Sequence, residues 1–411
     1  MRATACIGAV FGDECKGRMV DVFSHAPHTL VVRYNGGAQA SHTVTRSDGT
    51  RHAFSHFGAG SFNGMTTYLS SYFIANPFLW QMERDALLKL GLRPSLLVSP
   101  VARVTTPYDM LINTELEKSR GNSRHGSCGY GINETVERDL TEYSLLVRDL
   151  RDDLRGRLRV IRSEYVPVRL KALGITKFSD EFLQLIDNQQ VLESYLKFSG
   201  EFLAGTSDLR DHEIGDLRHS WDNVVFEGAQ GLLLDEDNTE FHPHLTRSKC
   251  GLANINSICA KAGIKELQAV YITRAYATRH GDGPFPTWDK SLSYEDRTNK
   301  PNPNQGAMRF GKFNLDLLMK AVQADLQKAP NLEVTHSLAM TCLDQVSEQV
   351  SYVHNGVEQS IDKSRLPTLA ACAINAKCVY LSSSQTGPVV GRAAARHRGV
   401  RTAHTPQGAF A

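Results

Sequence analysis

Four polar, glycine-containing segments follow short apolar runs, and the first has residue types that suit chemistry on a phosphorylated ligand. Residues 12–17 read GDECKG. Glycines allow a tight turn, the start of a following helix offers unpaired N–H groups, and Lys16 adds positive charge. The segment does not match the common Gly-x-x-x-x-Gly-Lys-Ser/Thr loop. Taken alone, it is more simply explained by Asp13 capping the helix, a role worth about 1 kcal/mol.

The other three segments combine glycine with amides, histidine or proline. They are residues 34–43 (YNGGAQASHT), 226–231 (FEGAQG) and 276–287 (YATRHGDGPFPT). Glycine next to amide and imidazole side chains suits close contact with a ligand. A lone histidine such as His42 is nevertheless more often a surface or satisfied residue than a catalyst. Each segment is ambiguous when it is taken alone.

The elements around these segments predict a sheet that brings them together. Residues 3–10 and 29–34 read as strands on either side of a helix over 16–25, which suggests a parallel crossover unit. Further expected elements are helices over 77–90 and 180–200, strands over 224–227, 269–273 and 337–343, and a hairpin turn at 47–49. Interleaved helices and strands predict an α/β protein with a largely parallel central sheet. Ligands bind beyond the carboxyl ends of such strands, where the four segments lie.

Composition narrows the class of protein. The 411 residues carry 46 Lys+Arg and 44 Asp+Glu, so there is no sequence-wide attraction to nucleic acid. No stretch approaches the roughly 18 apolar residues of a membrane helix, no signal peptide is visible, and the 8 scattered cysteines suit reduced thiols. We therefore expect a cytoplasmic protein that binds neither membrane nor nucleic acid. We expect one α/β domain over 1–411, with a helical insertion over about 150–222 that carries no readable motif.

Taken in order, the four segments resemble the adenylosuccinate synthetase family, which carries GDEGKG, GGxNAGHT, FEGAQG and TRVGxGPFPT. Three further segments extend the resemblance: HGSCGYGI at 125–132, TCLD at 341–344 and TGP at 386–388. The resemblance spans nearly the whole chain and keeps the motif order. It implies a large, mostly parallel central sheet flanked by helices, related to P-loop folds, with small antiparallel insertions. It also implies a ligase that joins L-aspartate to C6 of a 6-oxopurine 5′-monophosphate through a 6-phosphoryl intermediate.

The resemblance also implies roles for individual residues. Asp13 would be the general base, His42 the general acid and Gln230 the residue that holds the purine nucleotide. Asp13 and the carbonyl of Ser41 would bind Mg²⁺. The triphosphate of GTP or ATP would contact Gly12, Lys16, Gly17, Ser41, Thr43, Asp344, Thr386, Gly387 and Pro388. Asp344 would read the guanine edge of GTP, but Cys342 stands where the family has a lysine, which leaves the choice of donor open.

The departures from the family pattern concentrate around the monophosphate substrate. Gln39 replaces an asparagine, Ser41 a glycine and His280 a valine that contacts the ribose. The residues expected to bind the substrate nucleotide are Gln39, Ser127, Cys128, Gln230, Thr246 and His280, and Arg309 is expected to bind the aspartate carboxylate. Arg247 or Lys249 could restore phosphate binding by charge. The reaction type is thus expected to persist in a rebuilt pocket.

Three interpretations of the function follow. The departures slightly favour (d)GMP as the substrate, as in the divergent phage aminoadenylosuccinate synthetases. Such a protein would work in the host cytoplasm. An IMP-using enzyme is the alternative, and the intact Asp13 supports it because many members of the phage branch carry serine there. An inactive nucleotide-binding relative is the third, and Cys15 in place of a glycine suits it. The family leads us to expect a homodimer. A nucleic-acid binder is a further alternative, which would use Arg392, Arg396, Arg398 and Arg401. The simpler explanation of these arginines is a solvated C-terminal segment.

Overall fold

Nine strands form one central sheet within the residues that the computed structural model describes, which are 1–121, 126–206, 220–299 and 306–394. The strands of this sheet are β1 (Arg2–Gly8), β2 (Thr29–Arg33), β5 (Thr66–Leu69), β7 (Leu96–Val98), β9 (Asn223–Glu227), β10 (Glu266–Arg274), β14 (Glu333–Thr341), β17 (Cys378–Leu381) and β18 (Val390–Ala393). Smaller sheets contain β3 (His42–Thr45), β4 (Arg51–Phe54), β6 (Ile74–Ala75), β8 (Arg103–Val104), β11 (Ala277–Arg279), β12 (Arg309–Gly311), β13 (Phe313–Asn314), β15 (Gln349–His354) and β16 (Val357–Asp362).

The strand order is β18-β17-β14-β10-β1-β9-β2-β5-β7, and within this sheet only the pair β17–β18 is antiparallel. The predicted fold class is confirmed. β1 and β2 are parallel, as expected of a crossover unit, but β9 lies between them. The small pairs β3–β4, β11–β12 and β15–β16 are antiparallel insertions. The carboxyl ends of β1, β9, β2, β10 and β14 therefore meet at one edge.

Eleven α-helices are assigned within the described ranges. They are α1 (Lys16–Phe23), α2 (Pro77–Lys89), α3 (Pro107–Arg120), α4 (Ile132–Asp139), α5 (Leu154–Val160), α6 (Val166–Ala172), α7 (Asp180–Ile186), α8 (Gln189–Gly205), α9 (Leu252–Ala262), α10 (Leu315–Leu326) and α11 (Leu366–Ala373). None of these helices has the length and apolar character needed to cross a membrane.

The single helix expected over 180–200 is wrong, because the structure divides it into α7 and α8. The Asn188 side chain accepts hydrogen bonds from the backbone of Gln190 and Val191 and so caps the start of α8. An asparagine that satisfies the first N–H groups of one helix competes with continuation of the helix before it. The apolar spacing is similar on both sides of the break, so periodicity alone did not reveal it.

The core lies on both faces of the central sheet. Alternate residues of β1 point to opposite faces, with Ile7 in one apolar cluster and Cys6 in the other. The helices of the 150–222 region cover the second face. Phe202 of α8 packs edge-to-face on Trp80 of α2 with ring centroids 5.3 Å apart, and Tyr195 donates a hydrogen bond to the Thr105 carbonyl. The region that carries no motif thus closes the core.

Truncating Phe202 tests this packing. Both Phe202 and Trp80 are 0% exposed, so Phe202→Ala leaves a cavity and should lower the free energy of unfolding by about 3–5 kcal/mol. Urea denaturation measures the change. Leu183→Ala on α7 is the control, because that side chain is 58% exposed and its loss should change stability little. Equal effects of the two substitutions would contradict the packing.

Candidate active site

A cavity of about 750 Å³ lies at the edge where the carboxyl ends of the parallel strands meet. Asp13 follows β1, Gln230 follows β9, and His42 begins β3, and all three line this one cavity. The predicted site residues on its wall are Gly12, Asp13, Lys16, Gly17, Gln39, Ser41, His42, Thr43, Cys128, Gln230, His280 and Asp344. The sheet therefore brings together segments that are far apart in the chain.

The loop of residues 12–17 is held by side chains from the end of β10 and from β11. Arg274 donates from Nε to the Asp13 carbonyl at 2.6 Å, and Thr278 donates to the Gly12 carbonyl at 3.1 Å. Gly12 and Asp13 both have positive φ, at 91° and 58°. These contacts fix the turn, so that Lys16 begins helix α1 at the cavity wall. The start of this helix presents N–H groups where an anion would bind.

A glycine allows this loop to approach His42. A Cβ atom on Gly17 would lie 2.7 Å from the Cβ of His42, which is closer than real side chains tolerate. The first turn of α1 and the first residue of β3 therefore lie in direct contact. This close approach places the imidazole beside the loop that carries Asp13 and Lys16.

The His42 imidazole is held by a buried carboxylate. Its Nδ1 lies 2.6 Å from Oε1 of Glu227, whose Oε2 accepts from the Ala59 backbone N–H at 2.9 Å. Burial lowers the pKa of His42, although Glu227 opposes this shift. Burial would raise the pKa of Glu227, but the His42 hydrogen bond and the charge of Arg33 hold it below its ordinary value. A neutral imidazole therefore donates from Nδ1, which leaves Nε2 for a ligand.

Sequence reasoning missed Glu227 as a functional residue. The available signal was a carboxylate at the end of a buried strand, immediately before Gly228. A charged residue in that position is seldom buried unless it is paired. The partner, His42, lies 185 residues away in the chain, so only the fold identifies it.

Glu14 is a second buried carboxyl that the sequence did not single out. Its Oε1 accepts from the Val10 N–H at 2.7 Å, and its Oε2 has no hydrogen-bond partner. Burial raises the pKa of Glu14 to about 7, and the charge of Lys16 acts against this shift. Both side chains lie over Gly8, where a Cβ would collide with them. The carboxyl group is therefore close to half protonated at neutral pH.

Several buried polar atoms on the cavity wall lack a hydrogen-bond partner. They include both amide atoms of Gln39, the Oε1 of Gln230, the Oγ1 of Thr43 and the Nε2 of His280. The two glutamine side chains converge at Gly36, since a Cβ there would lie 3.3 Å from Gln230 Oε1 and 3.6 Å from Gln39 Nε2. Buried polar groups in native proteins are normally hydrogen-bonded. A polar ligand would satisfy these atoms.

The remaining predicted site residues do not line the cavity. They are Ser127, Thr246, Arg309, Thr386, Gly387 and Pro388. The Ser127 hydroxyl donates to Asn113 at 2.8 Å, and Arg309 donates to the Gly281 carbonyl at 2.6 Å. The Gly387 carbonyl accepts from Arg18 of α1, which ties the 386–388 segment to the phosphate-loop helix. His125, Arg396, Arg398 and Arg401 lie outside the described residues.

The two cations considered for phosphate binding are engaged elsewhere. Arg247 lies 2.6 Å from Glu137, and Lys249 pairs with Glu236 and Asp237. Neither is on the cavity wall. The structure therefore offers no support for the hypothesis that either one restores phosphate binding.

The donor set on the cavity wall suits Mg²⁺. Among the described residues there is no cluster of three or more His, Cys, Asp or Glu side chains that could hold a metal by itself. Mg²⁺ in phosphate-transfer sites is usually held by one or two carboxylates together with phosphate oxygens and water. Asp13 and the carbonyl of Ser41, both at the cavity, fit that pattern.

The raised pKa of Glu14 predicts a pH-dependent stability. Between its ordinary pKa of 4.5 and about 7, the unfolded chain releases the Glu14 proton while the folded chain retains it. Stability attributable to Glu14 therefore falls as pH rises through this window. The Glu14→Gln variant does not lose this stability. The free energy of unfolding of the variant minus that of the wild type should therefore increase by up to about 3 kcal/mol between pH 4.5 and pH 7.5.

Urea unfolding at both pH values measures this difference. Glu266→Gln is the control, because Glu266 is an exposed residue at the start of β10. Its difference from the wild type should stay constant with pH. A constant difference for Glu14→Gln as well would contradict the assignment.

Solved structures with a similar fold include two nucleotide-bound or ligated enzymes. A fully ligated adenylosuccinate synthetase from Plasmodium falciparum matches with a TM-score of 0.72 and 16% identity, over 94% of this chain and 98% of that chain. The succinoaminodeoxyadenylate synthetase of cyanophage S-2L, bound to dGMP and dATP, matches with a TM-score of 0.58 and 15% identity, over 94% and 93%. At these identities the likeness shows the fold alone.

Sequence comparison identifies the family. The adenylosuccinate synthetase of Prochlorococcus marinus (strain MIT 9313) is 31% identical over 293 residues, which are 70% of this chain and 64% of that relative. The match thus spans slightly less than two thirds of the relative's length. The family model described as "Adenylosuccinate synthetase" matches residues 5–382, from β1 to the end of β17. With the motif order and the parallel sheet that unites the motifs, this match shows that the chain belongs to the adenylosuccinate synthetase family.

Proposed function

We propose that this chain is a ligase that joins L-aspartate to C6 of a 6-oxopurine nucleoside 5′-monophosphate, with a nucleoside triphosphate as phosphate donor. One observation carries the proposal: the Asp13 carboxylate, the His42–Glu227 pair and the Lys16 loop border the same cavity. Family membership supports this class of reaction. An inactive nucleotide-binding relative is less consistent with a site that retains an acid, a base and a phosphate-binding loop.

The chemistry requires that a poor leaving group be activated first. Asp13 removes the N1 proton of the purine, which places negative charge on O6. O6 then attacks the γ-phosphorus and the nucleoside diphosphate departs, leaving a 6-phosphoryl ester. The amine of aspartate attacks C6, loses a proton and expels inorganic phosphate. Positioning and charge stabilisation are the main demands of the phosphoryl transfer.

The surrounding residues suit these steps. His42, whose Nδ1 donates to Glu227, donates from Nε2 to the oxygens of the transferring group when the imidazole is protonated. Lys16 and the first N–H groups of α1 bind the phosphates of the donor. Asp13 and the Ser41 carbonyl would hold Mg²⁺, which when bound neutralises phosphate charge. Asp344, on the cavity wall beyond β14, is the residue placed to contact the base of GTP or ATP.

A purine with a 2-amino group, as in (d)GMP, is the preferred substrate in this proposal. Guanine carries two amino hydrogens at C2 where hypoxanthine carries only a C–H. Gln39 offers a buried side-chain oxygen without a partner near Gly37, and its Nε2 lies beside Gln230 at Gly36. An unsatisfied acceptor discriminates against a substrate that lacks the matching donor. IMP would leave that acceptor unpaired.

Two further parts of the proposal concern aspartate and assembly. Arg309 binds the aspartate carboxylate, and the chain forms a homodimer.

A substrate panel tests the proposal. Purified protein with Mg²⁺ and L-aspartate is offered IMP, GMP and dGMP in turn, each with ATP or GTP, and phosphate release and the succinyl-purine product are measured. We expect product from GMP or dGMP at a higher kcat/KM than from IMP. Turnover of IMP alone would overturn the 2-amino preference. Nucleotide binding without turnover of any 6-oxopurine would overturn the ligase assignment.

The same assay also tests substitutions of Asp13 and His42. Asp13→Asn and His42→Asn should each reduce kcat by roughly 10²–10⁴-fold, the usual contribution of one acid or base. Asp48→Asn at the β3–β4 turn and His25→Asn after α1 are matched controls at exposed positions and should retain wild-type turnover. Wild-type turnover in either active-site variant would contradict the mechanism.

Glu227→Gln tests the positioning role of the buried carboxylate. Loss of the negative charge removes the interaction that raises the pKa of His42 and weakens its orientation. We expect kcat to fall about 10–100-fold with little change in KM. The alkaline limb of the pH–rate profile, along which His42 loses the proton that it donates as general acid, should move to lower pH.

Glu240→Gln is the control for this variant, because Glu240 is 48% exposed and pairs with Lys320 on the surface. It should preserve both kcat and the pH profile. A Glu227→Gln enzyme whose alkaline limb does not move would show that the carboxylate does not act through His42.

A further inference from the structure

We propose that Cys15 and Cys342 form a reversible disulfide that closes the triphosphate end of the cavity. Their sulfur atoms lie 3.8 Å apart although the residues are separated by 327 positions in the chain. Cys15 directly precedes helix α1 and Cys342 follows β14, and both residues border the cavity. Formation of the bond does not depend on the function proposed above, whereas its effect on turnover rests on that function.

The distance is within reach of a covalent bond. A disulfide requires the sulfurs to approach to roughly 2.05 Å, with a dihedral angle near ±90°. Starting from contact at 3.8 Å, side-chain rotation with a small backbone adjustment can supply this approach. The two cysteines belong to separate elements, the N-terminus of α1 and the loop after β14, so the bond would connect two parts of the cavity wall that are far apart in the chain.

The backbone at both cysteines is unusual. Cys15 has φ 67° and Cys342 has φ 58°, which is the left-handed region that residues with a Cβ rarely adopt. Such conformations cost of order 1–3 kcal/mol and cluster at functional sites. Glycine or asparagine would suit either position better. The pairing of two thiols at two such positions is a second observation, independent of the distance between them.

A buried cation lies close to the two thiols. The guanidinium of Arg274 interacts electrostatically with both Cys15 and Cys342. Arg274 is itself buried and is held by the Asp13 carbonyl and the Tyr276 hydroxyl. A thiolate is the form that attacks a disulfide, and nearby cations activate it.

Four other cysteines lack a thiol partner of this kind. They are Cys6, Cys128, Cys250 and Cys259, and burial raises the pKa of each of them. The thiol pair at the cavity is distinguished from these four by the contact between its two sulfur atoms.

The reaction balances with a small disulfide, such as oxidised glutathione, as the oxidant. The Cys15 thiolate attacks one sulfur of the small disulfide and expels one thiolate, which leaves a mixed disulfide on Cys15. Cys342 loses its proton and its sulfur attacks Sγ of Cys15, and the second small thiolate departs. Two protein thiols are oxidised and one small disulfide is reduced to two thiols. Excess reduced thiol reverses both steps.

Closure would act on the phosphate loop. The bond attaches Cys15, the residue directly before Lys16 in the phosphate-binding turn, to the loop that carries Asp344, two positions beyond Cys342. In the function proposed above, the triphosphate lies between these two segments. A disulfide there occupies part of that space and prevents the segments from separating to admit the nucleotide.

Mass spectrometry tests the bond directly. The full chain is equilibrated in buffers of reduced and oxidised glutathione, trapped with an alkylating reagent and digested. We expect a peptide pair linked through Cys15 and Cys342 in oxidising buffer, which disappears in reducing buffer. Two alkylated thiols, or a glutathione adduct on Cys15 without the cross-link, would overturn the proposal.

Variants and nucleotide binding complete the test. Cys342→Ser should abolish the cross-link, whereas Cys378→Ser, on β17 away from the cavity wall, should retain it. Calorimetric titration with ATP and with GTP should show at least tenfold weaker binding to the oxidised wild-type protein, and equal binding to oxidised and reduced Cys342→Ser. Unchanged binding to the cross-linked protein would overturn closure. If the reduced protein turns over no substrate, the ligase function fails while the cross-link is still decided by mass.

Discussion

The buried hydrogen bond between His42 and Glu227 is the interaction around which the site is organised. It joins the start of β3 to the end of β9, and Glu227 is held in turn by the Ala59 N–H. Arg33, fully buried on β2, donates to the Ser55 and Ala40 carbonyls and supplies the charge that keeps Glu227 ionised. A buried carboxylate is stable only with such partners. The same partners fix the orientation of the imidazole.

The cavity depends on close contacts that glycine permits. Gly17 lets α1 touch His42, and Gly36 lets the Gln39 and Gln230 amides converge. A methyl group at either position would separate the parts of the site. The wall near the 12–17 loop is different, because Cys15 and Cys342 occupy left-handed backbone positions there. This part of the wall brings a glycine-containing loop into contact with a pair of thiols.

The 150–222 region, which has no chemical motif, contributes to the site through the core. Its helices pack against α2 and cover one face of the sheet, as the contacts of Phe202 and Tyr195 show. The helix break at Asn188 shows a limit of periodicity, since an asparagine cap interrupts the helix without changing the apolar spacing. The expected strands over 269–273 and 337–343 begin three and four residues after the observed starts of β10 and β14, because the first residues of both strands include several polar or charged side chains.

The sequence by itself determined the α/β class, the segments that contain Asp13, His42 and Gln230, and the order that identified the family, because these are local patterns of glycine, charge and hydrophobicity. Only the tertiary structure decided which residues meet. It placed β9 between β1 and β2, paired His42 with Glu227, raised the pKa of Glu14 by burial and brought Cys15 within 3.8 Å of Cys342. It also engaged Arg247 and Lys249 with carboxylates away from the cavity. Burial and contacts across hundreds of residues arise from packing, which no local pattern encodes.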